Sequence, residues 1–132
     1  MAVIAGIDEA GFGPVLGPLV VSATAFEVPD ENADASLWRL LAAAVSRSAS
    51  RRRRRIAIAD SKRLYHGLRG STGLEHLERG VLSMLSAAGK ATASLRGLLG
   101  KVAPKAEQHA GTYPWYARSE LPLPRAISET DL

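Results

Sequence analysis

Cysteine is absent from the 132 residues, which excludes disulfides and thiolate metal sites and leaves carboxylates and histidine to hold any metal. A chain of this kind suits a reducing, cytoplasmic setting. Aromatic residues are scarce, at 5%, so a core has to be built from Leu, Val, Ile and Ala. Long apolar runs are missing too: none approaches the roughly 18 residues that cross a bilayer. The opening MAVIAGIDEAG lacks a basic segment followed by a long apolar one, so no leader is expected. These absences predict a soluble, unprocessed protein with no membrane partner.

What remains is ample for folding. With 46% apolar residues, a chain of this length supports one small domain with a real core. The net charge of +4 is local rather than general, because five of the 17 cations stand in a row at residues 51–55 and the other 12 face 13 carboxylates. Such a run is either a solvated loop or a contact for phosphate.

The pattern along the chain predicts strand, strand, helix, strand, helix and a weaker last helix. Residues 2–7, AVIAGI, form a short apolar run that ends at Asp8 and Glu9. Residues 19–28, LVVSATAFEV, alternate loosely, and the GPVLGP before them reads as the turn of a hairpin. Asp34 or Ser36 can cap a helix through residues 37–48, where Leu37, Leu40, Leu41 and Ala44 share a face. After the arginines, IAIAD repeats the first pattern, a short apolar strand closing on a carboxylate, Asp60. A turn-rich stretch follows. From Gly73, the spacing of Leu74, Leu77, Val81, Met84 and Leu85 predicts a helix stopped at Gly89. A further helix is expected over residues 92–102, and residues 105–132 read as a loop or disordered tail because Pro, Gly and charge interrupt any periodicity. The whole is an α/β pattern, a mixed sheet flanked by helices.

Asp8 and Glu9 are the first candidates for chemistry. Adjacent strand residues point to opposite faces, so the two share one ion only where the strand ends or bulges, which glycines at 6, 11 and 13 permit. Two carboxylates held close need a proton or a cation, and a hard ion such as Mg²⁺ or Mn²⁺ takes oxygen ligands and activates water for attack on a phosphodiester. The alternative is a turn residue beside a solvated glutamate. Gly11 and Gly13 flank Phe12 in a loop whose backbone N–H groups can approach phosphate or ribose, or which is a plain tight turn. Leu16 stands where G-x-G-x-x-G requires glycine, so a dinucleotide loop is not expected. In the sequence DSK, Asp60, Ser61 and Lys62 can orient one another, with Lys62 as a mobile charge for phosphate, or Asp60 can simply cap a helix. His66, His76 and His109 are spaced without a metal triad. Tyr113, Trp115 and Tyr116 can stack on a base or pack against the domain.

In order, AGIDEAGFGPVLGPLVVSA and then IADSKRL before an amphipathic helix strongly resemble the N-terminal part of the type 2 ribonuclease H family, ribonucleases HII and HIII, over residues 3–88. The resemblance implies a ribonuclease H-like domain over residues 1–104 and endonucleolytic cleavage of RNA in RNA–DNA hybrids, or at ribonucleotides embedded in duplex DNA, leaving 3′-hydroxyl and 5′-phosphate ends. It implies that Asp8 and Glu9 are catalytic and hold Mg²⁺ or Mn²⁺. Gly11, Phe12 and Gly13 would then read the ribose 2′-hydroxyl side of the substrate, and Ser61 and Lys62 would approach its backbone. Phe12 departs from the family, which has Arg or Lys there. The family's third and fourth carboxylates have no counterpart: after Glu78 only Glu107, Glu120, Glu129 and Asp131 remain, none in an apolar strand. The expected fold is therefore truncated, and a catalytically incomplete nucleic-acid-binding module or fragment is the alternative to the nuclease.

Overall fold

Branched residues in the first segment favour extended backbone. In the computed structural model, which describes residues 1–9, 19–48, 55–65, 73–117 and 120–127, they form β1 (Ala2–Glu9). Strand β2 (Val21–Val28) pairs with it antiparallel, in unbroken register from Ala2 opposite Val28 to Glu9 opposite Val21. Alternation puts Ile4, Phe26 and buried Val28 on one face. The other face carries Val3, Ile7 and Val21, which are 67%, 76% and 60% exposed. A turn of 3-10 helix at Asp30–Asn32 and helix α1 (Leu37–Leu40) complete the first of two compact units, Met1–Leu40. The connecting GPVLGP lies outside the described residues.

The helix expected over residues 37–48 stops after one turn, because its second half is used differently. Val45 and Ser46 form β3 (Val45–Ser46), which pairs in parallel with β4 (Ile56–Ala57). The Ile56 amide donates to the Ala44 carbonyl at 2.8 Å and the Ile58 amide to the Ser46 carbonyl at 2.9 Å. Val45 is buried. Ser46 is buried as well, and its hydroxyl finds the Ser48 carbonyl at 2.6 Å. The expected mixture of strand directions is thus present, but in two separate two-stranded sheets.

In the second unit, Leu41–Leu132, the buried apolar residues among those described are Val45, Ala57, Leu64 and Leu82. Helix α2 (Ser61–Leu64) contributes Leu64, and α3 (Glu75–Ala87) contributes Leu82 and packs on both β4 and α2. The C-terminus of α3 follows the sequence closely. Gly89 takes φ +69°, its amide bonds the Ser86 carbonyl, and the Lys90 amide bonds Leu85, a Schellman stop. Burial on α3 does not centre on its apolar residues: Gly80 and Leu82 are buried, Leu77, Met84 and Leu85 are half-buried, and Leu74 and Val81 are 46% and 55% exposed. A Cβ on Gly80 would meet the Ala57 carbonyl oxygen at 3.6 Å, so the helix lies against β4 by its glycine side.

Helix α4 (Leu95–Val102) starts at Ser94, whose hydroxyl accepts the Gly97 amide at 3.1 Å. Residues 104–117, aperiodic in sequence, hold two short helices, α5 (Pro104–Ala110) and α6 (Pro114–Ala117). Each begins with proline, whose fixed φ and missing N–H suit a first helical position. Among the described residues, no helix is long and apolar enough to cross a membrane.

The packing at Gly80 makes a paired prediction. Gly80→Ala should raise stability by about 0.5–1 kcal/mol, since it removes the conformational freedom of a mid-helix glycine and its methyl has ordinary contact distance. Gly80→Leu should lower stability by roughly 1–3 kcal/mol by forcing α3 off β4. Urea denaturation of the three proteins measures both.

Candidate functional site

Asp8 and Glu9 are the last two residues of β1, and the ladder runs through both: Asp8 lies opposite Ser22 and Glu9 opposite Val21. There is no bulge at this pair, so the two side chains leave opposite faces of the hairpin, Asp8 on the face of Ile4 and Phe26 and Glu9 on the face of Val3 and Ile7. Both are exposed. One Asp8 oxygen, Oδ1, also accepts the Glu9 amide at 3.0 Å. Alternation and water therefore relieve the like charges here. The chemistry of the pair suits a hard divalent ion, but its geometry offers one donor to each face. Among the described residues, no three of His, Cys, Asp and Glu come together to hold a metal. As placed, the two residues do not form a shared ion site.

The DSK segment lies in the second unit. Asp60 is the N-cap of α2: its Oδ1 accepts the Lys62 amide at 2.8 Å, and its carbonyl accepts the amides of Arg63 and Leu64. Leu64 is only 4% exposed and pins the turn to the core. Ser61, Lys62 and Arg63 remain exposed around it. A single buried leucine thus presents a hydroxyl and two cations to solvent. The capping alternative for Asp60 is the arrangement found, and it leaves Lys62 available to phosphate.

The remaining candidates divide by position. Gly11, Phe12 and Gly13 lie outside the described residues, as do Arg51, Arg52, Arg53, Arg54 and His66. Arg55 is described, and its Nη1 donates to the Ala42 carbonyl at 2.9 Å. Asp8 and Glu9 belong to one unit and Ser61 and Lys62 to the other. His109 sets its ring edge-on to Tyr113, with centroids 5.4 Å apart, and Tyr113 stands in the same relation to Tyr116 at 6.4 Å. Beside them a small cleft of about 40 Å³ is lined by Leu95, Leu99, Ala110 and Tyr116, with the Arg96 and Glu107 ion pair, 2.8 Å apart, in its wall.

One carboxylate has a role that its place in the sequence does not suggest. Glu78 accepts three successive backbone amides, Arg125 at 2.7 Å, Ala126 at 2.6 Å and Ile127 at 3.2 Å. Its sequence neighbours give no sign of partners 47 to 49 residues away. The same C-terminal segment is tied upstream, where the Leu95 amide bonds Leu121 and the Leu123 amide bonds Ala93. Part of the stretch read as a loop or tail is therefore fastened at two places.

No family model matches the chain, no curated protein matches it, and no solved structure matches it.

Two substitutions test these placements. Asp60→Ala should cost about 1 kcal/mol and speed hydrogen exchange at the Lys62 amide, whereas Asp60→Asn should keep most of the cap. Glu78→Ala removes three charge-assisted bonds and should cost about 2 kcal/mol or more. Exchange at the Arg125, Ala126 and Ile127 amides should then rise at least tenfold, with the β1 amides unchanged.

Proposed function

We propose that this chain is a type 2 ribonuclease H-like protein that acts on RNA–DNA hybrids or on ribonucleotides embedded in duplex DNA. The observation that carries the reading is the ordered pair of motifs, GIDEAGFGPVLGP and then DSK. In support, the first places Asp8 and Glu9 at the C-terminal end of β1, and the second exposes Ser61 and Lys62 at a capped turn after β4. In this reading Asp8 and Glu9 would hold Mg²⁺ or Mn²⁺ once Glu9 left the ladder, and the ion would supply charge neutralisation and an activated water. Gly11, Phe12 and Gly13 face the ribose side, and Ser61 and Lys62 contact the backbone. The finer fold that goes with this reading is the N-terminal part of a ribonuclease H-like sheet.

A second reading is favoured by the unbroken ladder at Asp8 and Glu9. A pair split between two faces, with no third ligand among the described residues, suits a nucleic-acid-binding module without its own chemistry. Its affinity would rest on Lys62, Arg63 and the arginines at 51–55, and would fall steeply with salt whether or not a divalent ion is present.

The deciding experiment is cleavage of a labelled duplex containing one ribonucleotide, with Mg²⁺ and then Mn²⁺, by this chain and by Asp8→Asn. The nuclease reading expects a cut at the ribonucleotide that drops by at least a hundredfold in the variant. Binding without cutting, unchanged by chelator, by a chain that melts cooperatively would overturn it in favour of the module.

A further inference from the structure

Helices α4, α5 and α6 carry a surface that the motifs leave unused. Lys105, His109 and Tyr113 recur every fourth residue, and Tyr116 follows one turn later. The backbone keeps a helical path between them: the Tyr113 amide bonds Ala110 at 3.0 Å and the Ala117 amide bonds Tyr113 at 2.9 Å. The four side chains therefore form one stripe along the two helices. Lys105 and His109 are exposed, and Tyr113 and Tyr116 keep 38% and 40% of their surface open. Successive rings stand at 87° and 88° to one another, so they meet edge to face rather than in a parallel stack.

Charge decides between an apolar partner and an anionic one. From Leu95 to Ala117 the chain has three cations against the single carboxylate of Glu107; that carboxylate pairs with Arg96 and the Lys101 ammonium donates to the Ala91 carbonyl, so Lys105 is the stripe's own cation and no carboxylate on it opposes an anion. An acidic polymer is favoured along such a stripe, and exposed rings call for planar groups on that polymer. Phosphates joined to flat bases meet both requirements.

We propose that the stripe of Lys105, His109, Tyr113 and Tyr116 is a contact for single-stranded nucleic acid, with bases stacked on the two tyrosines and the backbone held by Lys105. The contact uses none of the residues assigned to cleavage and stands or falls separately from that reading. Paired bases in a duplex have their faces covered by their neighbours, so the stripe selects single strands.

The test is fluorescence anisotropy of labelled 20-nucleotide oligo(dT) and oligo(U) with the full chain, in chelator so that no metal-dependent step contributes. Wild type should bind both, with equal affinity if bases and phosphates alone are read and tighter to oligo(U) if the 2′-hydroxyl is read as well. The double variant Tyr113→Leu, Tyr116→Leu should lose at least tenfold, and Tyr113→Phe, Tyr116→Phe should bind like wild type, because stacking needs the ring and not the hydroxyl. Lys105→Ala should weaken binding and flatten the slope of log affinity against log salt by about 0.7. Undiminished binding by a leucine variant with a wild-type melt would assign the contact to the arginines at 51–55 and overturn the proposal. So would tighter binding of a duplex than of either single strand. Should the leucine pair unfold, Lys105→Glu decides: a loss of severalfold supports the stripe and an unchanged affinity overturns it.

Discussion

The second unit depends on the close approach of α3 to β4 at Gly80. A two-residue parallel pair cannot bury a core by itself, and β3 and β4 offer only Val45 and Ala57 as buried apolar side chains. A helix laid directly on β4 supplies the missing cover, and it can lie that close only where nothing larger than a methyl intervenes, since a Cβ at Gly80 would already stand 3.6 Å from the Ala57 carbonyl oxygen. Leu82 then reaches the interior from the same helix, and Leu64 reaches it from α2. The DSK turn is held in place by that last contact. Its exposed hydroxyl and cations are positioned by a buried leucine and a capping aspartate, so packing and presentation are two sides of one four-residue helix.

The same constraint moves the burial of α3 off the middle of its apolar stripe, leaving Leu77, Met84 and Leu85 half-buried and Val81 exposed. Its apolar residues, Leu74, Leu77, Val81, Met84 and Leu85, recur at helical spacing and would normally mark the inward face. Leaning on Gly80 instead brings Arg79 and Ser83 inward, where Arg79 Nε and the Ser83 hydroxyl are buried without a partner among the described atoms. Burying unpaired polar atoms costs free energy, so backbone proximity at Gly80 is obtained against the preference of the stripe. Glu78, on the same helix, offsets part of that cost by gathering three amides of the C-terminal segment.

Local signals in the sequence were read well, and distant ones were not. The patterns at 2–7 and 19–28 foretold the hairpin, Gly89 foretold the end of α3, and Asp60 takes the capping role that was one of its two readings, each because the physical cause lies within a few residues. The one-turn length of α1 was invisible, since Val45 leaves the helical pattern to pair with Ile56 eleven residues on. The centre of burial on α3 was misjudged because a glycine carries no hydrophobic signal. Helices α5 and α6 were missed because Pro104 and Pro114 read as breakers within a region of no period, although both stand at helix starts. Of the candidate site, the strand-end position of Asp8 and Glu9 and the exposure of Lys62 were legible. Their division between two units was not.

The hairpin register bears most directly on chemistry. A strand turns each successive side chain through half a revolution, so an ion can take both Asp8 and Glu9 only if one of them leaves the ladder. The change required is small. Glu9 is the terminal pair of the ladder, opposite Val21, and freeing it disrupts pairing at one end rather than in the middle of the sheet. Asp8 holds the Glu9 amide through Oδ1, a bond that a coordinated cation would compete for. Two exposed carboxylates by themselves hold a divalent ion only weakly, because water screens the attraction and competes for the ion. The two readings of this pair therefore differ by a local rearrangement of one residue, and further oxygen donors beside Asp8 and Glu9 decide between them by repaying the dehydration of the ion.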